Sequence, residues 1–321
     1  MNTNTDLTKC PICGHEHTEI IEDTLGEQPF FIEWKDDHVF KNRRLSKCQK
    51  CESVFVPEFL SNEDLSSFYA DIYKNYHAPK HSPHDIFHSK YHPRYLSQAN
   101  AINKSINLED GMRCLEIGAN VTSISPALSN FVKHDFFYYD QYDSDIIANY
   151  GGERLGEYFT SDSTINDIDL IVSSHVFEHI NPSELQGTIE AITKSLKPGG
   201  HVFIEVPNDV DRGIFDAPHT LFYSIKGLSD LFENKGLEMV MCHKSPVIKT
   251  KNIPGSGSNN NSKKLSTRLK EILFNIFLPI LGNNNIFIRN YSKIRLNKFI
   301  SNHNCLYDGR SYLRVIFKKP L

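Results

Sequence analysis

No apolar run in this sequence approaches the ~20 residues that cross a bilayer, so a membrane-spanning helix is not among its readings. Residues 1–9 are polar and lack the apolar stretch of a secretion signal, which predicts a cytoplasmic chain. Positive charge is not in excess either. The 35 Lys and Arg face 39 Asp and Glu, a formal net charge of −4. That counts against a broad nucleic-acid footprint, and no nucleic-acid partner is expected, although a local basic patch stays open. Internal repeats are absent. What is present is an ordinary soluble composition over 321 residues, long enough to bury a sizeable core and to hold two domains.

Of the seven cysteines, four fall into two CxxC pairs, Cys10/Cys13 and Cys48/Cys51. Zinc takes four soft ligands in a tetrahedron, and each CxxC turn offers two sulfurs on one side of a tight loop. Gly14 suits the backbone that closes the first turn. Strand-like runs at Glu19–Glu22, Pro29–Trp34 and His38–Phe40 lie between the pairs, so two hairpin ends clamped by one structural Zn2+ is the reading. The alternative, redox chemistry by one CxxC, needs a strand–helix context that is missing here. His15 and His17 stand by as substitute ligands. Cys114 and Cys242 sit in apolar runs and read as buried structural thiols.

Past the cysteines, Ser61 or Asn62 is placed to cap a helix toward Tyr73, and a second helix spans Arg94–Ser105. From Met112 short apolar strands alternate with helices, the mark of a parallel α/β sheet. The expected strands are Arg113–Ile117, Phe136–Tyr139, Leu170–Ser174, His201–Val206, Leu237–His243 and Tyr312–Lys318. Helices are expected to open at Ser125-Pro126, at Asn181–Glu184 and at Ser224, the last stopped by Gly236. The division this predicts is a zinc ribbon at 1–58, a helical connector or lid at 59–107, an α/β core at 108–248, a basic insertion at 249–308 and a closing strand at 309–321. Within the insertion, 263–300 carries eight Lys/Arg against one acid, Glu271, around an apolar centre. It reads as an amphipathic helix that packs on the core or on a second copy, or that lies on an anionic membrane surface.

Three stretches carry a resemblance. Cys114-Leu115-Glu116-Ile117-Gly118 resembles the first motif of the class I S-adenosylmethionine (SAM)-dependent methyltransferases. Val176-Phe177-Glu178-His179-Ile180 resembles their segment after the fourth strand, and Leu196-Lys197-Pro198-Gly199-Gly200 the loop before the fifth. The order and spacing also match, over about Leu108–His243 plus the final strand. The ribbon and the Tyr-rich Phe68–Tyr76 are similar to methyltransferases of sugar and polysaccharide pathways. The resemblance implies an α/β, Rossmann-like seven-stranded sheet behind a small amino-terminal zinc ribbon, with a helical insertion before the last strand. It implies SAM as cofactor and a small-molecule or glycan acceptor. One departure stands out: where the family shows three glycines, this chain reads Gly118-Ala119-Asn120-Val121-Thr122. Asn120 tolerates left-handed backbone better than most residues.

Ligands in open α/β sheets sit past the carboxyl ends of the strands. There Gly118 lets backbone approach the cofactor, and the following helix start favours its carboxylate. Asp140, after the second strand, is placed to accept from both ribose hydroxyls, Asp162 from the adenine amine, and His175 lines the cofactor. Each has a plainer reading: Glu116 as a buried acid bonded to backbone, Asp140 as an exposed strand-end acid, Glu178 and His179 as a network leading into a helix. Methyl transfer often needs a base with a pKa near neutrality, which histidine offers without large tuning. His219, in Asp216-Ala217-Pro218-His219, is the first candidate and His179 the second; a structural histidine before a helix is the alternative. His219 matches only the histidine of a Tyr-x-Glu-His group in nucleotide-sugar C-methyltransferases, which leaves O- and N-methylation open. His77, His81, His84, His88 and His92 recur at near-helical spacing, but Pro79 and Pro83 break a helix there, so a substrate-facing lid competes with a metal site. An rRNA methyltransferase and a non-catalytic scaffold are the competing functions.

Overall fold

The computed structural model describes residues 7–26, 39–58, 60–68, 93–119, 124–141, 151–245 and 312–321. Asn120, the histidine-rich stretch 77–92, the 29–34 run and the insertion with its basic 263–300 stretch lie outside the described residues. In chain order the elements begin with β1 (Thr18–Thr24), β2 (Arg44–Cys48), β3 (Val54–Phe55), α1 (Asn62–Ser67), α2 (Pro93–Ser105), β4 (Met112–Ile117) and α3 (Ile124–Leu128). They continue with β5 (His134–Tyr139), β6 (Gly152–Gly156), β7 (Ile168–Ser174), α4 (Leu185–Ser195), β8 (Leu196–Pro207) and α5 (Asp209–Arg212). Last come β9 (Leu221–Phe222), α6 (Ile225–Glu233), β10 (Glu238–Ser245) and β11 (Tyr312–Lys318).

The strands make a small antiparallel sheet, β1-β2-β3-β9, and a Rossmann-like mixed sheet of seven, β10-β11-β8-β7-β4-β5-β6. Chain contacts divide the protein into two compact units. The first unit holds Met1–Lys80, Tyr158–Pro246 and Gly309–Leu321, and the second His81–Glu157 and Val247–Asp308.

In the first unit β7 runs parallel to β8, pairing Val172 with Phe203, and β11 returns antiparallel on the other side of β8. These strands are apolar almost throughout, as strands covered on both faces must be. Leu170, Ile171, Val172, Phe203, Ile204, Val315 and Ile316 are fully buried. Helix α6 covers this sheet with Leu228, Leu231 and Phe232, and Phe232 stacks on Phe317 at 4.5 Å. Ser224 caps α6 by accepting the Gly227 N–H at 2.8 Å, and Ser61 caps α1 by accepting that of Asp64 at 3.0 Å. Val39 and Phe40 lie in a turn rather than a strand. Phe40 instead packs edge-on against Phe68 at 4.7 Å.

In the second unit β4, β5 and β6 run parallel, with Ile117 opposite Tyr139. Helix α2 buries Leu96, Ala99 and Ile102, a three-residue spacing that lines one helix face, and Ile106 just past its end is buried too. Asn130 turns its amide back onto the Ala127 carbonyl at 2.8 Å just after α3.

Candidate functional site

The four cysteines converge. Sγ of Cys10 lies 3.7 Å from that of Cys51, and Sγ of Cys13 lies 3.6 Å from that of Cys48. A zinc tetrahedron with bonds of about 2.3 Å has edges of about 3.8 Å, so this donor set fits the ion. The Cys51 N–H points at the Cys48 sulfur from 3.5 Å. His15 and His17 pack ring against ring at 5.2 Å, outside the cluster.

The cluster is joined to the segment that carries His219. The Gly26 N–H donates to the Phe215 carbonyl at 2.7 Å, and the Ala217 N–H donates back to Gly26 at 2.9 Å. Val56 donates to the Thr220 carbonyl at 3.0 Å, and β3 pairs with β9. The Ser224 N–H donates to Ser53 Oγ at 3.1 Å, its hydroxyl donates to the Cys51 carbonyl, and Lys226 donates to the Lys50 carbonyl. Gly227 makes the approach possible: a Cβ there would stand 2.0 Å from Ser53 Oγ. The ribbon core also takes Ala217 and Phe222 in among Leu45, Val54 and Val56.

His219 rests between two carboxylates and a second histidine. Its Nδ1 lies 3.3 Å from Asp209 Oδ2, and its ring meets that of His179 edge-on at 4.9 Å. His179 lies in a turn of 3-10 helix, Phe177–His179, just after β7. Burial pushes its imidazole down to about 3 against the pull of the Glu178 charge. Burial alone would raise the Glu178 carboxyl, but the His175 charge beside it prevails and holds it at about 2. Thr220 ties the two loops together, its N–H donating to the Glu178 carbonyl at 2.9 Å and its hydroxyl to that of Ile180 at 3.1 Å. Donor atoms of Glu178, His179 and His219 all lie within 4.8 Å of one another.

His175 takes a left-handed backbone (φ 57°), uncommon for a residue with a side chain. Its ring stands 3.0 Å from Glu178 and 3.5 Å from Glu205, and Glu205 pairs in turn with buried Arg314. Asp162 is exposed in the turn Thr160–Ser163, where its N–H donates to the Thr160 hydroxyl at 3.3 Å.

The second unit holds the residues expected to meet the cofactor's sugar and amino-acid ends. Gly118 follows β4 with φ 72°, a conformation glycine adopts without strain. Its N–H donates to the Tyr139 carbonyl at 2.9 Å, which sets it beside the end of β5. There Asp140 is buried, at 8% exposure, not the exposed strand-end acid of the plainer reading. Arg154 donates twice to the Asp140 carbonyl, at 3.1 and 2.9 Å, and locks that backbone. Bare backbone next to a buried acid at neighbouring strand ends suits a nucleoside with a ribose diol. Glu116 accepts the Ile124 N–H at 2.9 Å and the Ser125 N–H at 3.1 Å. Those first-turn donors, expected to favour the cofactor carboxylate, are therefore taken by this acid.

Sequence reasoning missed Asp209 beside His219, the Glu205–Arg314 pair and the Ser53–Ser224 joint. Glu205 and Arg314 did leave a signal, each a charge inside an apolar strand run.

Residues 90–241 match the family model described as a methyltransferase domain. No curated protein matches the chain. Among solved structures the chain is similar to one of a Haloferax volcanii complex of the Trm112 methyltransferase activator with a putative methyltransferase. The identity is 14%, over 80% of this chain and 98% of that one, with a TM-score of 0.43. A TehB-like SAM-dependent methyltransferase from Corynebacterium glutamicum shows 15% identity over 80% and 100%, TM-score 0.40. The N-methyltransferase NodS from Bradyrhizobium japonicum shows 13% over 73% and 97%, TM-score 0.39. Likenesses of this size say nothing of the acceptor.

Proposed function

We propose that the chain is a SAM-dependent methyltransferase, a reading supported by the methyltransferase-domain match over residues 90–241, and that it methylates a small or glycan-linked acceptor: a sugar, a nucleotide-sugar or a polysaccharide intermediate. The observation that carries this reading is the group of His219 and His179 beside the buried carboxylates of Glu178 and Asp209. It offers a hydroxyl-rich acceptor several hydrogen-bonding atoms within one loop pair. The net charge of −4 counts against the rRNA alternative.

SAM supplies an activated methyl group, so the protein's part is alignment and, where needed, removal of a proton. Asp140 would take the ribose hydroxyls and Gly118 the close backbone approach, with Asn120 two positions further along the sequence. Asp162 would accept from the adenine amine, and His175 would line the cofactor from the end of β7. Glu116 serves at one remove, holding Ile124 and Ser125 in place. His219, with His179 against it, makes the acceptor atom nucleophilic. The four cysteines would hold a structural Zn2+, since they leave no open coordination position.

The test is a panel of sugars, nucleotide-sugars and glycan fragments assayed with labelled SAM. The expected result is transfer to at least one of them, with turnover falling at least about tenfold in His219→Ala while SAM affinity stays the same. Transfer to rRNA alone, or undiminished turnover in the variant, would overturn it.

A further inference from the structure

We propose that Glu178, His179 and His219 form a binding site for one divalent metal cation, separate from the four-cysteine site.

Two imidazoles and a carboxylate, on donor atoms within 4.8 Å of one another, are the ligand set of many divalent-metal sites with open positions. Glu178 is only 1% exposed, and beyond the 3.0 Å contact with the His175 ring its carboxylate oxygens accept no hydrogen bond among the described residues. Buried polar atoms left unsatisfied are costly, and a group of them on one spot calls for an ion or a ligand.

The surroundings fit as well. A metal-binding imidazole usually presents its other nitrogen to an oxygen. His179 bonds the Pro218 carbonyl, and Asp209 Oδ2 lies 3.3 Å from Nδ1 of His219. Thr220 fixes the two loops to each other through Glu178 and Ile180, so the three donors are placed before any ion arrives.

Three protein ligands leave positions for acceptor oxygens. A cation there would polarise a hydroxyl and lower its pKa, the same activation assigned above to the histidine pair. That use of the ion rests on the methyl-transfer reading; its binding does not.

The experiment is therefore done without SAM or acceptor. Full-length, zinc-loaded protein is titrated with Mn2+, which thiolates bind poorly, and free Mn2+ is followed by its electron paramagnetic resonance. The expected result is one bound equivalent. His179→Ala, His219→Ala and Glu178→Gln, each checked for zinc content and far-UV circular dichroism, weaken it by about tenfold or more. Should Glu178→Gln fail to fold, the two histidine variants decide. In the wild type, which needs no variant, Mn2+ should broaden the imidazole resonances of His179 and His219 before those of other histidines. Absence of binding at millimolar Mn2+, equal binding in both histidine variants, or broadening centred elsewhere would overturn the proposal.

Discussion

With zinc held by the four cysteines, as proposed, its removal should free the segment that bears His219. Besides the β3–β9 pairing and the longer Ser53–Ser224 hydroxyl contact, six hydrogen bonds tie residues 215–226 to the ribbon: two at Gly26 and one each at Val56, Ser53, Cys51 and Lys50. At about 1 kcal/mol each, discounted for the exposed Lys226 contact, they sum to roughly 5 kcal/mol of resistance to local opening. A structural zinc is part of the folding free energy of such a cluster, so a ribbon without it loses the geometry behind these bonds. At 1.4 kcal/mol per tenfold, amide protection in 215–226 should fall by roughly four-thousandfold. The assay is hydrogen exchange read by mass spectrometry on zinc-loaded protein, chelator-treated protein and Cys48→Ser. Strands β4 and β5, in the other unit, serve as the internal reference and should change little. If metal analysis confirms zinc loss and residues 215–226 keep their protection, the ribbon does not hold the His219 segment.

Two substitutions probe supporting contacts. Glu116→Gln leaves one acceptor oxygen where two N–H groups now bond, and the new amide faces a donor. A cost of about 2–3 kcal/mol is expected in urea unfolding, and a change below about 0.5 kcal/mol would contradict it. Gly227→Ala puts a Cβ 2.0 Å from Ser53 Oγ. It should push the ribbon off α6 and speed exchange at Ser224, while Gly213→Ala, with nothing within 4 Å but a left-handed backbone, should leave the ribbon undisturbed.

Much of this architecture was legible because it rests on local rules. Strands of Val, Ile, Leu and Phe covered on both faces announce themselves as apolar runs, and the closing strand runs Tyr312–Lys318 as expected. Ser61 and Ser224 act as the caps their positions suggest, since a cap needs only the residues three ahead. The cysteine pairs were readable because a CxxC turn sets two sulfurs side by side, and in the structure all four sulfurs converge. Where reading failed, a distant residue had taken over a local role. Ser125-Pro126 looks like a helix start, yet α3 begins at Ile124 and its first N–H groups go to Glu116, from β4. Asn181 looks like the opening of a helix, but its side-chain amide reaches the Leu60 carbonyl at 2.8 Å and α4 begins at Leu185. The joint between Ser53 and Ser224 spans 171 positions of sequence, and no local pattern marks either serine. Asp209 pairs with His219 only because α5 turns back after β8.

Calorimetric titration with SAM and S-adenosylhomocysteine bears most directly on the central claim. Wild type should release heat with both, and Asp140→Ala should bind at least about tenfold more weakly, having lost hydrogen bonds from a charged acceptor worth about 1.5–3 kcal/mol each. No heat from wild type with either ligand would leave a scaffold in place of an enzyme.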